Sequence, residues 1–207
     1  FKLSNGQWNK VGNLPVPLGY AACASVGKGV VLAGGHNEEG IRQDTLLIRA
    51  DGSVEKLPPL PRPVTEAAFV GSGDKLYVIG GRDRDEPETA LNTVYVLDTS
   101  PETASMEWKT LPPFQGPGRI LATAAFSDST LFLVGGCSLS SPVVQSRDIL
   151  AYDIVKDEWS RLGEWPAGIA TAPAVTRGNE IVTISGETAP GERTPVNASA
   201  TAGYHFE

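Results

Sequence analysis

Glu187 and Arg193 are the residues whose types and spacing most invite chemistry. They stand six apart in Gly186-Glu187-Thr188-Ala189-Pro190-Gly191-Glu192-Arg193-Thr194, where proline and glycine tighten the turn and let the guanidinium fold back toward the carboxylate. A carboxylate can take a proton from a hydroxyl, and partial desolvation behind a buried strand would make it a better acceptor. A guanidinium fork can hold an anion through paired hydrogen bonds. The same pair would equally serve to rigidify a loop, and spacing alone does not choose between these uses.

The elements that must position the pair form a repeat. Apolar runs end in a glycine pair at Val30-Val31-Leu32-Ala33-Gly34-Gly35, Leu76-Tyr77-Val78-Ile79-Gly80-Gly81 and Leu131-Phe132-Leu133-Val134-Gly135-Gly136. The fourth copy, Ile181-Val182-Thr183-Ile184-Ser185-Gly186, breaks the pair and runs into Glu187. The second glycines fall at 35, 81, 136 and 186, a period near 50 expected of a β-propeller blade of about four short strands. No window shows sustained helical periodicity, so an all-β chain is predicted.

Each unit opens with a proline-containing turn, for example Leu60-Pro61-Arg62-Pro63 or Trp165-Pro166-Ala167-Gly168. A small-residue inner strand follows, predicted over 20–25, 66–70, 121–126 and 171–175, since blades crowd toward the axis. Next come the apolar strand, a third strand that alternates outward (Thr93–Asp98, Asp148–Asp153) and a fourth carrying Trp108 or Trp159. The tryptophans read as wedges between blades rather than as ligand stackers. The repeats span about 14–57, 58–111, 112–163 and 164–207 in one domain. Residues 1–13 read as an outer strand, and Tyr204-His205-Phe206-Glu207 as a third strand lacking a fourth. Pairing the two ends in one blade would hide the edges of a ring.

Alternating strand direction puts the turn before the first strand and the turn after the second on one face. Tyr20, Arg62 and Arg119 are thereby expected beside His36, Arg82, Cys137 and Glu187 at a basic mouth suited to an anionic ligand. Each residue also has a plainer use. Arg62 and Arg119 could bond carbonyls of the proline turns, while His36 and Arg82 could be solvated loop residues.

Composition narrows the field. A net charge of −7 argues against nucleic-acid binding, which needs a basic face. No apolar stretch approaches the roughly 20 residues of a membrane-spanning helix, so no membrane insertion is expected. Cys23 and Cys137 lack metal-ligand spacing and read as buried small apolar groups. The two histidines, His36 and His205, are too few for a copper radical oxidase site. The chain starts at Phe1 without a charged-then-apolar leader, which fits either a mature exported protein or a fragment.

The glycine pairs, the Tyr-Asp end of the third strand and the tryptophan of the fourth resemble the kelch repeat along the whole chain. The segment Gly186 to Thr194 further resembles the Gly-Glu-x-x-Pro-Gly-x-Arg-Thr signature of kelch-type N-acetylneuraminate epimerases, the sialic acid mutarotases. The Tyr20 and Pro61-Arg62 segments are similar to that family's pattern, in an order that resembles its cyclically permuted branch. The resemblance implies a six-bladed propeller of which four repeats are present, and a periplasmic or secreted location. It implies Glu187 as proton acceptor with Arg193 beside it, further contacts to an acidic sugar from Tyr20, Arg62 and Arg119, and a reaction without a redox step that needs no metal or cofactor; Arg82 and His36 join the candidate contacts by their place at the mouth. Leu18 departs from the pattern, since an arginine is common just before the tyrosine segment. The competing expectation is a non-catalytic kelch propeller that binds a protein or carbohydrate partner; a homo-oligomer fits either reading.

Overall fold

The computed structural model describes residues 1–84, 90–178 and 180–201. It is a four-blade β-propeller arrangement in which every sheet is antiparallel. The order from axis to rim is sequential in each blade. After a hairpin of β1 (Lys2–Ser4) and β2 (Gln7–Asn9), the first blade comprises β3 (Ala22–Val26), β4 (Gly29–Ala33), β7 (Thr45–Ile48) and β8 (Val54–Leu57). A two-stranded excursion, β5 (His36–Asn37) and β6 (Gly40–Ile41), rises from it after the glycine pair. The second blade is β9 (Ala68–Ser72), β10 (Lys75–Ile79), β11 (Val94–Asp98) and β12 (Trp108–Leu111). The third is β13 (Thr123–Ser127), β14 (Thr130–Val134), β15 (Asp148–Asp153) and β16 (Glu158–Glu164). In the fourth, β17 (Ala174–Arg177), β18 (Glu180–Ile184) and β21 (Asn197–Thr201) pair, while β19 (Glu187–Ala189) and β20 (Glu192–Arg193) form the excursion after Gly186.

The inner strands begin about two residues later than the sequence predicts. Tyr20, Glu66, Leu121 and Thr171 occupy the left-handed region, with φ of 51°, 57°, 54° and 55°, and cannot continue a strand. Backbone hydrogen bonds join these four in succession. Glu66 N–H donates to Tyr20 O (3.3 Å), Leu121 N–H to Glu66 O (2.9 Å) and Thr171 N–H to Leu121 O (2.9 Å). Four equivalent residues thus form an arc around the axis. The strand after each packs on its neighbour in the order β3, β9, β13, β17.

The core lies between blades. Val31, Leu47, Leu76 and Leu97 fill the first interface, with Trp108 packed against it and its indole N–H on Pro58 O at 2.9 Å. Tyr77, Ile79, Phe114 and Leu133 fill the second, where Trp159 bonds Pro112 O at 2.8 Å. The third holds Phe132 and Ile181, and beside them Val134, Ile169 and Trp165. Trp108 and Trp159 are wedges that bond the connector leaving the outer strand of the preceding blade. The second glycine of the third pair shows why no side chain is tolerated there. A Cβ on Gly136, whose φ is 85°, would lie 2.7 Å from Ala122 Cβ and 2.9 Å from Ile120 O.

Three expectations are corrected. The third strands do not alternate outward, because β11 and β15 belong to middle blades sandwiched on both faces and are buried nearly throughout. Alternation appears instead in the inner strand of the first blade, β3, and it leaves Cys23 exposed rather than buried, while Cys137 is buried. Residues 1–13 are not a single outer strand either. Asn5 (φ 52°) and Gly6 (φ 75°) form a tight turn that folds the segment on itself, pairing Leu3 with Trp8. The third strand of the last blade is β21; the Tyr204 to Glu207 segment and His205 lie outside the described residues. No described helix is long and apolar enough to cross a membrane.

Candidate functional site

Each excursion starts with a backbone bridge to the segment that opens its blade. His36 pairs with Gly19, Arg82 with Thr65, Cys137 with Ile120 and Glu187 with Ala170. In the fourth blade this bridge is two hydrogen bonds of 2.9 Å between Ala170 and Glu187. The residue after each glycine pair therefore stands beside the left-handed residue of its own blade. The mouth is built from four such stations.

At the fourth station Glu187 and Arg193 are register partners of the β19–β20 hairpin. Arg193 Nη1 lies 3.2 Å from Glu187 Oε2 and donates to Thr171 Oγ1 at 2.9 Å. The other carboxylate oxygen, Oε1, accepts from Gly191 N–H at 2.6 Å. Glu187 is 18% exposed and Arg193 67%, so the carboxylate is held inward while the guanidinium faces solvent. The geometry allows proton acceptance at one residue and anion capture at the next.

At the first station Tyr20, 65% exposed, stacks on His36 with centroids 5.3 Å apart and planes 15° from parallel. His36 Nδ1 lies 3.2 Å from Thr65 Oγ1, which fixes the ring under the tyrosine. At the second, Arg82 donates to Glu66 Oε1 at 2.8 Å, and both side chains are largely buried. At the third, Leu121 packs on Cys137. Burial pushes the Cys137 thiol up, and the charges of Glu66 and Glu187 push it further. One apolar thiol thus feels both carboxylates.

Tyr20, Glu66, Leu121 and Thr171 line one cavity of about 470 Å³, floored by inner-strand residues such as Phe69 and Ala174. Of the residues predicted from the sequence only Tyr20 lines this cavity itself; His36, Arg82 and Arg193 each touch one lining residue, Tyr20, Glu66 and Thr171 respectively, and Glu187 stands behind Arg193.

Arg119 and Arg62 are placed differently from the sequence expectation. Arg119 is 3% exposed. Its Nη1 donates to Gly135 O (3.2 Å) and its Nη2 to Asp148 Oδ2 (2.7 Å), and its guanidinium sits 5.6 Å over the Phe114 ring. It braces the interior of the third blade rather than lining the mouth, because Asp148 and the turn carbonyl draw it inward. Burial lowers its pKa and the Asp148 charge opposes that shift. Arg62 pairs with Asp83 at 2.7 Å, a contact within the loops of the second blade.

Glu66 and Thr171 were missed as site residues. Their signal was positional, since each stands in its repeat where Tyr20 stands in the first. Among the described residues no group of three or more His, Cys, Asp or Glu side chains is arranged to hold a metal ion.

Comparison with known proteins agrees with this architecture. Over 91% of its length the chain superposes on 67% of the structure described as "Structure of YjhT", with a TM-score of 0.79 and 18% identity, a likeness of fold. It is 26% identical to an N-acetylneuraminate epimerase of Yersinia enterocolitica, aligned over 94% of this chain and 58% of the relative. It is 28% identical to Kelch-like protein 40 of Mus musculus over 66% of this chain and 21% of that one. The chain thus spans little over half the length of the Yersinia relative. The model for the KLHDC2/KLHL20/DRC7 Kelch-repeats domain matches residues 22–198, and the chain belongs to the Kelch-repeat family.

Proposed function

We propose that the mouth binds an acidic sugar and that the chain takes part in sialic acid mutarotation, converting the α anomer of N-acetylneuraminate to the β anomer. The observation that carries this reading is the β19–β20 hairpin, which sets a shielded carboxylate against an open guanidinium that bonds Thr171 of the cavity lining. Similarity to proteins named N-acetylneuraminate epimerase from Yersinia enterocolitica and Escherichia coli supports it.

The chemistry uses both groups. Glu187 accepts the proton of the anomeric hydroxyl, the bond from anomeric carbon to ring oxygen breaks, and the ring oxygen takes a proton from water. Rotation about the adjacent bond exposes the other face of the ketone; on reclosure the ring hydroxyl returns its proton to water and Glu187 gives its own to the new anomeric oxygen. Arg193, anchored by Thr171, holds the sugar's carboxylate, which is attached to the carbon that reacts. Holding that carboxylate orients the anomeric hydroxyl toward Glu187.

A propeller that only binds a partner through its loops is the second reading, supported by similarity to Kelch-like protein 40. Proton NMR of sugar freshly released by a sialidase separates the two. On the mutarotase reading, adding the chain shortens the decay of the α signals in proportion to its concentration. A decay identical with and without the chain favours the binding module.

A further inference from the structure

We propose that Glu66, braced by Arg82, is a hydroxyl-binding station that selects acidic sugars carrying a vicinal-diol tail. The inference rests on the acidic-sugar reading of the Glu187–Arg193 station and extends it to substrate class. Glu66 lines the same cavity as Thr171, the residue that anchors Arg193. The two are joined through Leu121 by consecutive backbone hydrogen bonds of 2.9 Å each. Two steps at ordinary strand spacing put them about 10 Å apart along the arc. A sugar ring whose carboxylate sits on Arg193 and whose tail runs along the arc reaches Glu66.

The backbone of Glu66 is over-determined. Its N–H and C=O are both committed to neighbouring blades, at a left-handed φ of 57° that a glutamate does not adopt without external restraint. Arg82 then takes Oε1 at 2.8 Å, holding the group in place. An ionised carboxylate accepts hydrogen bonds only, and two adjacent hydroxyls of a polyol donate to it as a matched pair. Repulsion by Glu66 also keeps a second anionic group out of that end of the cavity.

The test compares two ligands by titration: N-acetylneuraminate, and the same sugar shortened by periodate cleavage and borohydride reduction of its methyl glycoside and then freed by acid, so that the vicinal diols are gone and the anomeric centre is kept. The wild-type chain is expected to bind the shortened sugar about ten-fold more weakly, the ratio expected for charge-assisted hydrogen bonds. In Glu66→Asn that ratio should fall below about two-fold, by loss of affinity for the full-length sugar. Asparagine takes left-handed backbone readily, so the arc is preserved. Glu66→Gln, which keeps side-chain length, should lose the discrimination as well. A ten-fold ratio that survives in both variants overturns the proposal and leaves the acidic-sugar reading intact. Equal binding of the two sugars by wild type does the same. Wild type that binds neither sugar overturns both.

Discussion

Glu187→Gln is expected to slow catalysed equilibration of N-acetylneuraminate anomers by about 100-fold or more while leaving sugar binding within roughly three-fold. The amide fills the carboxylate's place and its oxygen can still accept from Gly191 N–H, so the hairpin keeps its shape. What it cannot do is take the anomeric proton. The ion pair to Arg193 is lost as well, but with Arg193 67% exposed that contact is worth about 1 kcal/mol or less, and Thr171 still holds the guanidinium. Rate and affinity therefore separate in this variant. Equal rates for wild type and Glu187→Gln would remove Glu187 from the role of base.

The second large effect is on stability. Asp148→Ala should cost about 3 kcal/mol, or about 6–12 °C in Tm, because it leaves the Arg119 guanidinium buried without its counter-charge. Asp148 also accepts from Arg161 Nε at 2.8 Å and from Ser146 Oγ at 3.2 Å. Desolvation by itself would raise the Asp148 pKa, but hydrogen bonding to Arg161, the Arg119 charge and Ser146 together hold it below the ordinary carboxylate value. A carboxylate with a depressed folded-state pKa contributes its full stability above the unfolded value, near pH 4, and loses it as pH falls through the lower folded value. Wild type should accordingly destabilise steeply with acid below about pH 4, and Asp148→Ala should show a shallower slope over that window. The pair Arg119→Met with Asp148→Leu should recover much of the loss, since no lone charge then remains inside. Equal Tm for wild type and Asp148→Ala in thermal melts would show that Arg119 is compensated by other means.

Arg119 also shows where sequence reasoning ends. The glycine pairs made the face legible, because each marks the end of the second strand and the start of an excursion. All four residues after them, His36, Arg82, Cys137 and Glu187, bridge to the opening segment of their blade. Which arginine reaches the cavity was not legible. Arg119 and Arg62 precede their inner strands at comparable places in the repeat, yet partners far along the chain, Asp148 and Asp83, decide where each guanidinium goes.

The arc of left-handed residues was likewise hidden. Tyrosine, glutamate, leucine and threonine share no chemistry that predicts a positive φ; the inter-blade hydrogen bonds impose it. That imposed turn is what aims Tyr20, Glu66 and Thr171 at the axis. The Trp108 and Trp159 wedges, by contrast, were readable from their place in the fourth strand, since a large ring with one N–H suits an interface that offers a single carbonyl. The N-terminal hairpin is readable too, because the turn chemistry of Asn5-Gly6 decides that segment whatever the register of the repeat.

The central claim is that Glu187 at this mouth moves a proton on an acidic sugar. Exchange NMR on equilibrated N-acetylneuraminate measures it most directly, because the interconversion rate of the two anomers is read without any pulse of substrate. The account predicts an exchange rate that rises linearly with the concentration of the wild-type chain and stays at the uncatalysed value with Glu187→Gln. An exchange rate independent of wild-type concentration, at sugar levels where binding is seen, would contradict it.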